Sequence, residues 1–353
     1  MRTFIFGAGA SVHAGYPLAS QLWQCLEHWV LTSSGENDDF RRAVETMNTE
    51  FDLSKSFELV LTDLDERIDL LLKEKPTAEA RIREKVALLG VRTTVQMMIP
   101  YCFNSLRAQP AEIYKVFAND VLAPRDAIIT FNYDLALDRE LKKSGKWSIG
   151  NGYGFVINGS SPEDSPCKLF KLHGSTNWRG EVFQGRLGFA QVSPTSLSLG
   201  QRPVIEPSEF EYLGYDSMTD SQCRSGRARI ESLIMPTANK KFFIDTSFGP
   251  EWKDFWDFLW IHAGEALNRS NEVHLIGYSL PSYDTRAREL LATRIDENAI
   301  VTVCSHNGTL IVVDSVKELL SLRNVDVRPA CASSFEDWVL RFKQDSDRES
   351  GRM

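Results

Sequence analysis

Five short apolar runs, each ending in a small or polar residue, constrain this chain more than any other feature. They are "RTFIFGAGAS" (2–11), "DAIITFNYD" (126–134), "KLFKLHGS" (168–175), "EVHLIGYS" (272–279) and "AIVTVCSHN" (299–307). Runs of four to seven β-branched or aromatic residues, without polar alternation, read as strands of a parallel sheet buried on both faces. Their polar ends then line the carboxyl edge of that sheet, where open α/β folds bind ligands. "LIVVDS" (310–315) is a weaker sixth strand candidate. Helical patterns lie between the runs, so the expected fold is α/β, a Rossmann-like doubly wound parallel sheet with an inserted helical subdomain.

Two intervals are too long for simple crossovers. In "SFELVLTDLDERIDLLL", Phe57, Val60, Leu61, Leu64, Ile68, Leu71 and Leu72 recur at spacings of three and four, the stripe of an amphipathic helix. Residues 31–120 are therefore expected to be a helical insertion. Residues 181–235, rich in Ser, Gly, Gln and Arg, show no sustained period and read as an irregular, loop-rich insertion. The core then comprises 1–30, 121–180 and 236–345, with a frayed polar tail at 346–353. Trp252, Phe255, Trp256, Leu259, Trp260, Ala263 and Leu267 also fall at helical spacing. Area burial alone accounts for such a stripe, so it reads as a helix packed on the sheet.

The 353 residues are 42% hydrophobic and 25% charged, the balance of a globular protein, with a formal net charge of -8. That sign argues against a protein that coats nucleic acid or an anionic membrane. No uninterrupted apolar run approaches the roughly 20 residues needed to span a bilayer. A secretory leader is not expected, because the first strand-like run starts by Thr3. Six cysteines are scattered singly, which predicts reduced thiols in a cytoplasmic protein and no structural zinc built from two close cysteine pairs.

The chemistry sits at the strand ends. Gly7, Gly9 and Gly15 follow the first strand, and glycine lets backbone N–H groups approach a pyrophosphate. Ser11 adds a hydroxyl. The acidic residue that a dehydrogenase places about 20 residues farther on falls instead in a helical segment around Glu27, which disfavours hydride transfer. In "ITFNYD", Asn132 and Asp134 lie on one side of an extended chain and suit polar ligand groups. The alternative for this pair is an Asx turn leaving the strand. His173 ends the next strand and is the side chain suited to general-base work near neutrality. Among the other histidines, His13 is in reach of the glycine-rich turn, while His28, His262 and His274 read as structural.

Taken in order, "GAGAS" with "AGYP" after it, "TFNYD", "LHGS", "IGYSLP" and "SHN" resemble the sirtuin family of NAD-consuming proteins. The similarity is nearest to the bacterial sirtuin-like branch of NAD hydrolases in antiphage defence. It punctuates the chain from residue 4 to about 310. The resemblance implies that Gly7, Ala8, Gly9 and Ser11 cradle the pyrophosphate. It likewise implies that Asn132 holds the nicotinamide ribose and a water, and that Asp134 faces the carboxamide. His173 matches the catalytic histidine; Gly277 and Ser279 would contact ribose or phosphate, and Asn307 the adenosine ribose. NAD+ is then a substrate rather than a bound cofactor, and neither zinc nor another metal is expected. Deacylating sirtuins carry two zinc-binding cysteine pairs, absent here, and an Asp-Phe-Arg sequence where this chain has Leu18, Ala19 and Ser20. Phe131 stands where they have Gln. The implied activity is NAD+ glycohydrolysis, with a non-catalytic sensor of NAD or ADP-ribose derivatives, or a protein deacylase, as alternatives. A homo-oligomer is implied, as is room for an associated ATPase, helicase or other defence subunit.

Overall fold

The computed structural model describes residues 1–33, 37–75, 77–106, 111–155, 165–183, 204–205, 227–247, 251–305, 309–323, 325–332 and 334–349. They belong to two compact units. The first comprises Met1–Tyr16, Ala108–Ser175 and Trp256–Met353; the second comprises Pro17–Arg107 and Thr176–Phe255.

The first unit is built on a six-stranded sheet. In chain order the strands are β1 (Arg2–Phe6), β2 (Ala127–Thr130), β3 (Lys168–Lys171), β7 (Glu272–Ile276), β8 (Ile300–Cys304) and β9 (Asp326–Pro329). Between them come β4 (Gly174–Phe183), β5 (Val204–Ile205) and β6 (Arg227–Leu233), which form a separate sheet. The spatial order is β3-β2-β1-β7-β8-β9, and every neighbouring pair is parallel. Counting only this sheet's strands, the order is 3-2-1-4-5-6, the doubly wound Rossmann arrangement, with its switch point between β1 and β7. Five of the six strands are the five apolar runs. They are buried because helices cover both faces: Phe4, Ile5, Ile128, Ile129, Leu169, Val273, Leu275, Val301 and Val303 are all inaccessible.

The sixth strand is not the expected one. "LIVVDS" lies in the helix Thr309–Leu319, and the sixth strand is β9. Val312, Val313, Val316 and Leu320 are buried at helical spacing, so the apolar face, rather than β-branching, decides the outcome. β9 escapes a hydrophobic scan because it is an edge strand with one buried residue, Val327.

Alternation along β1 sends Phe4 and Phe6 to one face. There they meet Phe117 edge-on at 5.0 and 5.2 Å, and Phe6 meets Phe335 of the helix Phe335–Glu349 at 5.3 Å. At the opposite end of the strand the Asp126 carboxylate accepts from the Arg2 guanidinium, at 2.6 and 3.1 Å, and from the Arg2 amide at 3.0 Å.

The second unit contains the helices Leu22–Ser33, Asp38–Glu50, Phe57–Glu74, Glu79–Ser105 and Lys240–Ser247. The stripe in Phe57–Glu74 is buried as its spacing requires, with Leu72 at its margin. Inside this unit the Arg92 guanidinium donates to Asp65 at 3.2 Å and to Thr246 at 2.8 Å. Residues 181–183, 204–205 and 227–233, expected to be irregular, instead belong to the sheet β5-β4-β6, with β4 and β5 antiparallel. Among the described residues one stretch, Glu79–Phe103, is long and apolar enough to cross a membrane; over half of its most apolar window is buried inside the fold.

Two glycines make opposite predictions. Gly277 has φ +64°, and a Cβ there would lie 2.3 Å from the Ala10 nitrogen, whereas a Cβ on helical, exposed Gly90 meets nothing within 4 Å. Gly277→Ala should lower the unfolding free energy by about 2 kcal/mol or more. Gly90→Ala should raise it by about 0.5–1 kcal/mol. Urea denaturation of the two variants beside the parent chain checks both.

Candidate functional site

The parallel register brings the chemistry-bearing residues to one edge. Phe6 pairs with Thr130 and Ile276, Thr130 with Lys171, and Ile276 with Cys304, so these strands end level. Asn132 and His173 each lie two residues beyond the paired Thr130 and Lys171, on strands about 4.8 Å apart. The glycine-rich turn leaves β1 beside them, and Gly277 leaves β7 on its other side.

At the switch point, the glycines serve the protein's own backbone. After Gly7 the chain enters a 3-10 helix, Ala8–Ala14, that ends on Gly15 at φ +85°. The Gly7 N–H donates to Ile276 O and the Gly9 N–H to Gly277 O, both at 3.0 Å, and Gly277 N–H donates to Cys304 O at 2.8 Å. A Cβ on Gly7 would fall 2.6 Å from both Gly277 O and Tyr278 Cα. Glycine is required at 7 and 277 because two main chains touch there. The amides of Gly7 and Gly9, expected to meet a pyrophosphate, are engaged internally.

A polar cluster lies behind this contact. The Asn132 side-chain amide donates to Gly7 O at 2.9 Å and to Ser11 Oγ at 3.1 Å, tying β2 to the turn after β1. Ser11 is buried and lies 2.9 Å from the Tyr114 hydroxyl. With its N–H₂ group so held, half-buried Asn132 retains its carbonyl oxygen as the group that could meet a ligand. Asp134 is buried, and burial raises its carboxyl above the ordinary range, against the opposing pull of Lys171. Its Oδ1 accepts from Ala136 N–H at 3.0 Å, the Asx-turn geometry at the start of the helix Ala136–Lys143. Lys171 is wholly buried; its Nζ donates to Asp134 O at 2.6 Å and to the Asp138 carboxylate at 3.1 and 3.3 Å. Tyr153 donates to Asp138 at 2.6 Å.

His173 sits in an aromatic setting. Its ring centroid is 5.0 Å from that of Phe131 and 6.4 Å from that of Trp260, and Phe131 in turn stacks on Tyr278 at 4.3 Å. Its side chain keeps 10% exposure, and Nε2 lies 3.4 Å from Asp284 Oδ2. The Tyr278 hydroxyl donates to the same oxygen at 3.0 Å. Burial raises the Tyr278 phenol well above its ordinary range, so it remains a donor. Asp284 precedes the helix Thr285–Arg294, whose amino end favours a negative charge. The loop between is strained: Leu280 holds φ +51°, and its carbonyl accepts from Arg288 at 3.3 Å. A base, a buried carboxylate facing it and a donor that orients that carboxylate suit proton transfer in a partly dry site.

Of the other expected residues, Gly277 is at the turn after β7 and Ser279 is exposed two residues on. Ala8 opens the 3-10 helix. Asn307 lies outside the described residues, as does His306. His13 is on the 3-10 helix, its Nδ1 2.8 Å from Ala10 O. Trp260, read only as core, also walls His173. Tyr114, Asp138 and Asp284 lie outside the quoted strand-end motifs, and Tyr278 in "IGYSLP" and Lys171 in "KLFKLHGS" lie inside them without an assigned role.

No family model and no curated protein matches the chain. It is similar to a solved structure from work on the structural basis for the mechanism and regulation of Sir2 enzymes. The two share 10% identity with a TM-score of 0.42, over 99% of this chain and 93% of that one. The doubly wound assignment stands on strand order and pairing.

Lys171→Met leaves the Asp138 carboxylate buried without its cation and should cost about 3–5 kcal/mol of stability. Adding Asp138→Asn should restore part of that loss. Equilibrium unfolding of the single and double variants measures the coupling.

Proposed function

We propose that the chain is an NAD+ glycohydrolase that cleaves the nicotinamide–ribose bond with water, giving ADP-ribose, nicotinamide and a proton. The observation that carries this reading is the pairing of His173 with Asp284 beside Asn132, at the carboxyl edge next to the switch point. Simple binding has no use for a base backed by a buried carboxylate. The sequence motifs at these strand ends, which resemble sirtuins, supply the substrate class.

In this reading NAD+ lies across the strand ends, and its glycosidic bond loosens toward an oxocarbenium-like state. The Asn132 carbonyl orients the attacking water or the ribose. His173 accepts the proton, and Asp284 stabilises the imidazolium that forms. Phe131, Tyr278 and Trp260 exclude bulk water, which strengthens each of these charges. Gly7 and Gly9 shape the floor of the site, contacts to ribose or phosphate fall to Ala8 and Ser279, and Asn307 is the residue the resemblance assigns to the adenosine ribose. Asp134 acts through the fold of the turn that follows Asn132. No resident cofactor takes part. The biological setting that the motif resemblance suggests is NAD depletion in bacterial antiphage defence, by a homo-oligomer with or without an associated ATPase or helicase.

The purified chain incubated with NAD+ should release nicotinamide and ADP-ribose in equal amounts. His173→Ala should reduce turnover by about 10²–10⁴-fold, as for loss of a general base, and Asn132→Ala should reduce it severely. At 3.4 Å and an effective dielectric near 20, the carboxylate–imidazolium attraction is roughly a few kcal/mol. Asp284→Asn should therefore lose at least about tenfold in kcat. NAD+ binding by calorimetry with no product under any condition would favour the sensor reading. Undiminished turnover in His173→Ala and Asn132→Ala would remove both from the chemistry.

A further inference from the structure

Cys25 lies in the helix Leu22–Ser33 and Cys102 in the helix Glu79–Ser105, both within the second unit. Their sulfur atoms are 3.6 Å apart, although 77 residues separate them in the chain. Both are free thiols; Cys102 is fully buried and Cys25 is half-buried. The Cys102 sulfur is also 3.8 Å from the Cys25 carbonyl oxygen. The hydrogen bond from Cys102 holds the Cys25 thiol below the ordinary thiol range and holds the Cys102 thiol above it. One sulfur is thus the more acidic and the more accessible, and the other is a protonated neighbour at contact distance. That is the arrangement of an attacking and a resolving cysteine. Cys167 and Cys304 differ: each donates to a backbone carbonyl, at 3.2 and 3.3 Å, and burial pushes their thiols up to about 11 and about 12.

We propose that Cys25 and Cys102 form an oxidation site at which a hydroperoxide converts the two thiols into a reversible disulfide. The Cys25 thiolate attacks one peroxide oxygen; an S–O bond forms and the O–O bond breaks, releasing hydroxide that becomes water. The Cys102 sulfur then attacks the Cys25 sulfur. The S–S bond forms, the S–O bond breaks, and the departing hydroxide takes the Cys102 proton. Two thiols lose two electrons, and hydrogen peroxide becomes two waters. Closing the gap to the ~2.04 Å of a disulfide requires side-chain rotation and a small approach of two helices that already pack together. The bond would tie a long loop and stabilise this unit against unfolding. The inference is independent of the reaction proposed for the first unit.

The test uses the full chain, reduced and then treated with hydrogen peroxide. Remaining thiols are blocked under denaturing conditions, and the peptides are mapped without reduction. A Cys25–Cys102 linked peptide is expected, together with a rise of about 5 °C or more in the thermal midpoint that dithiothreitol reverses. In Cys102→Ser, Cys25 should stop at the sulfenic acid, trapped by dimedone. In Cys25→Ser, which alters only the half-buried partner, Cys102 should remain a thiol and the midpoint should not rise. Exposed Cys331 reports that oxidant reached the protein. Recovery of Cys25 and Cys102 as free thiols once Cys331 is oxidised would overturn the proposal. So would a disulfide joining Cys25 to any other cysteine.

Discussion

The first unit depends on a contact between two main chains. The turn after β1 and the turn after β7 touch through Gly7, Gly9 and Gly277, with N–H···O bonds in place of side chains. A doubly wound sheet reverses its winding at this point, so helices cannot cover both departing segments there. Closing the seam with backbone lets β1 and β7 pair along their full length and end level with β2, β3 and β8. Every candidate site residue inherits its position from that level edge. A methyl group at Gly277 would push the turns apart and tilt the edge, which makes this glycine a determinant of both fold and site.

Beneath the edge, polar groups carry the next layer of order. Asn132, Ser11 and Tyr114 form one cluster, and Asp134, Lys171, Asp138 and Tyr153 another, with Asn132 and Asp134 two residues apart on the same strand end. Buried donors and acceptors are costly unless satisfied, so each such bond excludes alternative packings as well as stabilising the observed one. The structure thereby separates two residues that look equivalent in "TFNYD". Asp134 is turned inward, bonded to Ala136 N–H and beside Lys171, while half-buried Asn132 bridges Gly7 O and Ser11 Oγ through its N–H₂ group. The carboxylate caps the turn into the next helix, and the carboxamide ties β2 to the turn after β1.

The sheet was legible because it is parallel and doubly covered. That geometry demands unbroken apolar runs, and β1, β2, β3, β7 and β8 supply them. β9 was illegible for the converse reason: an edge strand needs one buried residue, and Val327 sets no pattern. Residues 310–315 misled because β-branching favours strands only where a pleated surface exists to receive it. The sheet β5-β4-β6 gave no periodic signal in a segment rich in Ser, Gly, Gln and Arg. In the site, residues attached to a turn or a strand end were visible, namely Asn132, His173 and the glycines. The parts played by Asp284, Tyr278, Tyr114 and Lys171 were not, even where the residue stood in a strand-end stretch, since they arise from contacts across more than one element, or from a loop whose path no local rule specifies.

The glycine-rich turn shows how a motif can be right in place and different in cause. Gly7 and Gly9 do mark the switch point, but their small size answers a neighbouring backbone, and their N–H groups are already bonded. A glycine pair after a first strand is therefore evidence of a tightly closed seam before it is evidence of a phosphate. What separates a reactive edge from a merely closed one is the company the strand ends keep. Here an imidazole faces a buried carboxylate across 3.4 Å, among aromatic rings and next to the strand end that carries Asn132. Three of these neighbours, Phe131, Trp260 and Asp284, converge on one imidazole from three different elements. That convergence, rather than the glycines, is what the proposed reaction rests on.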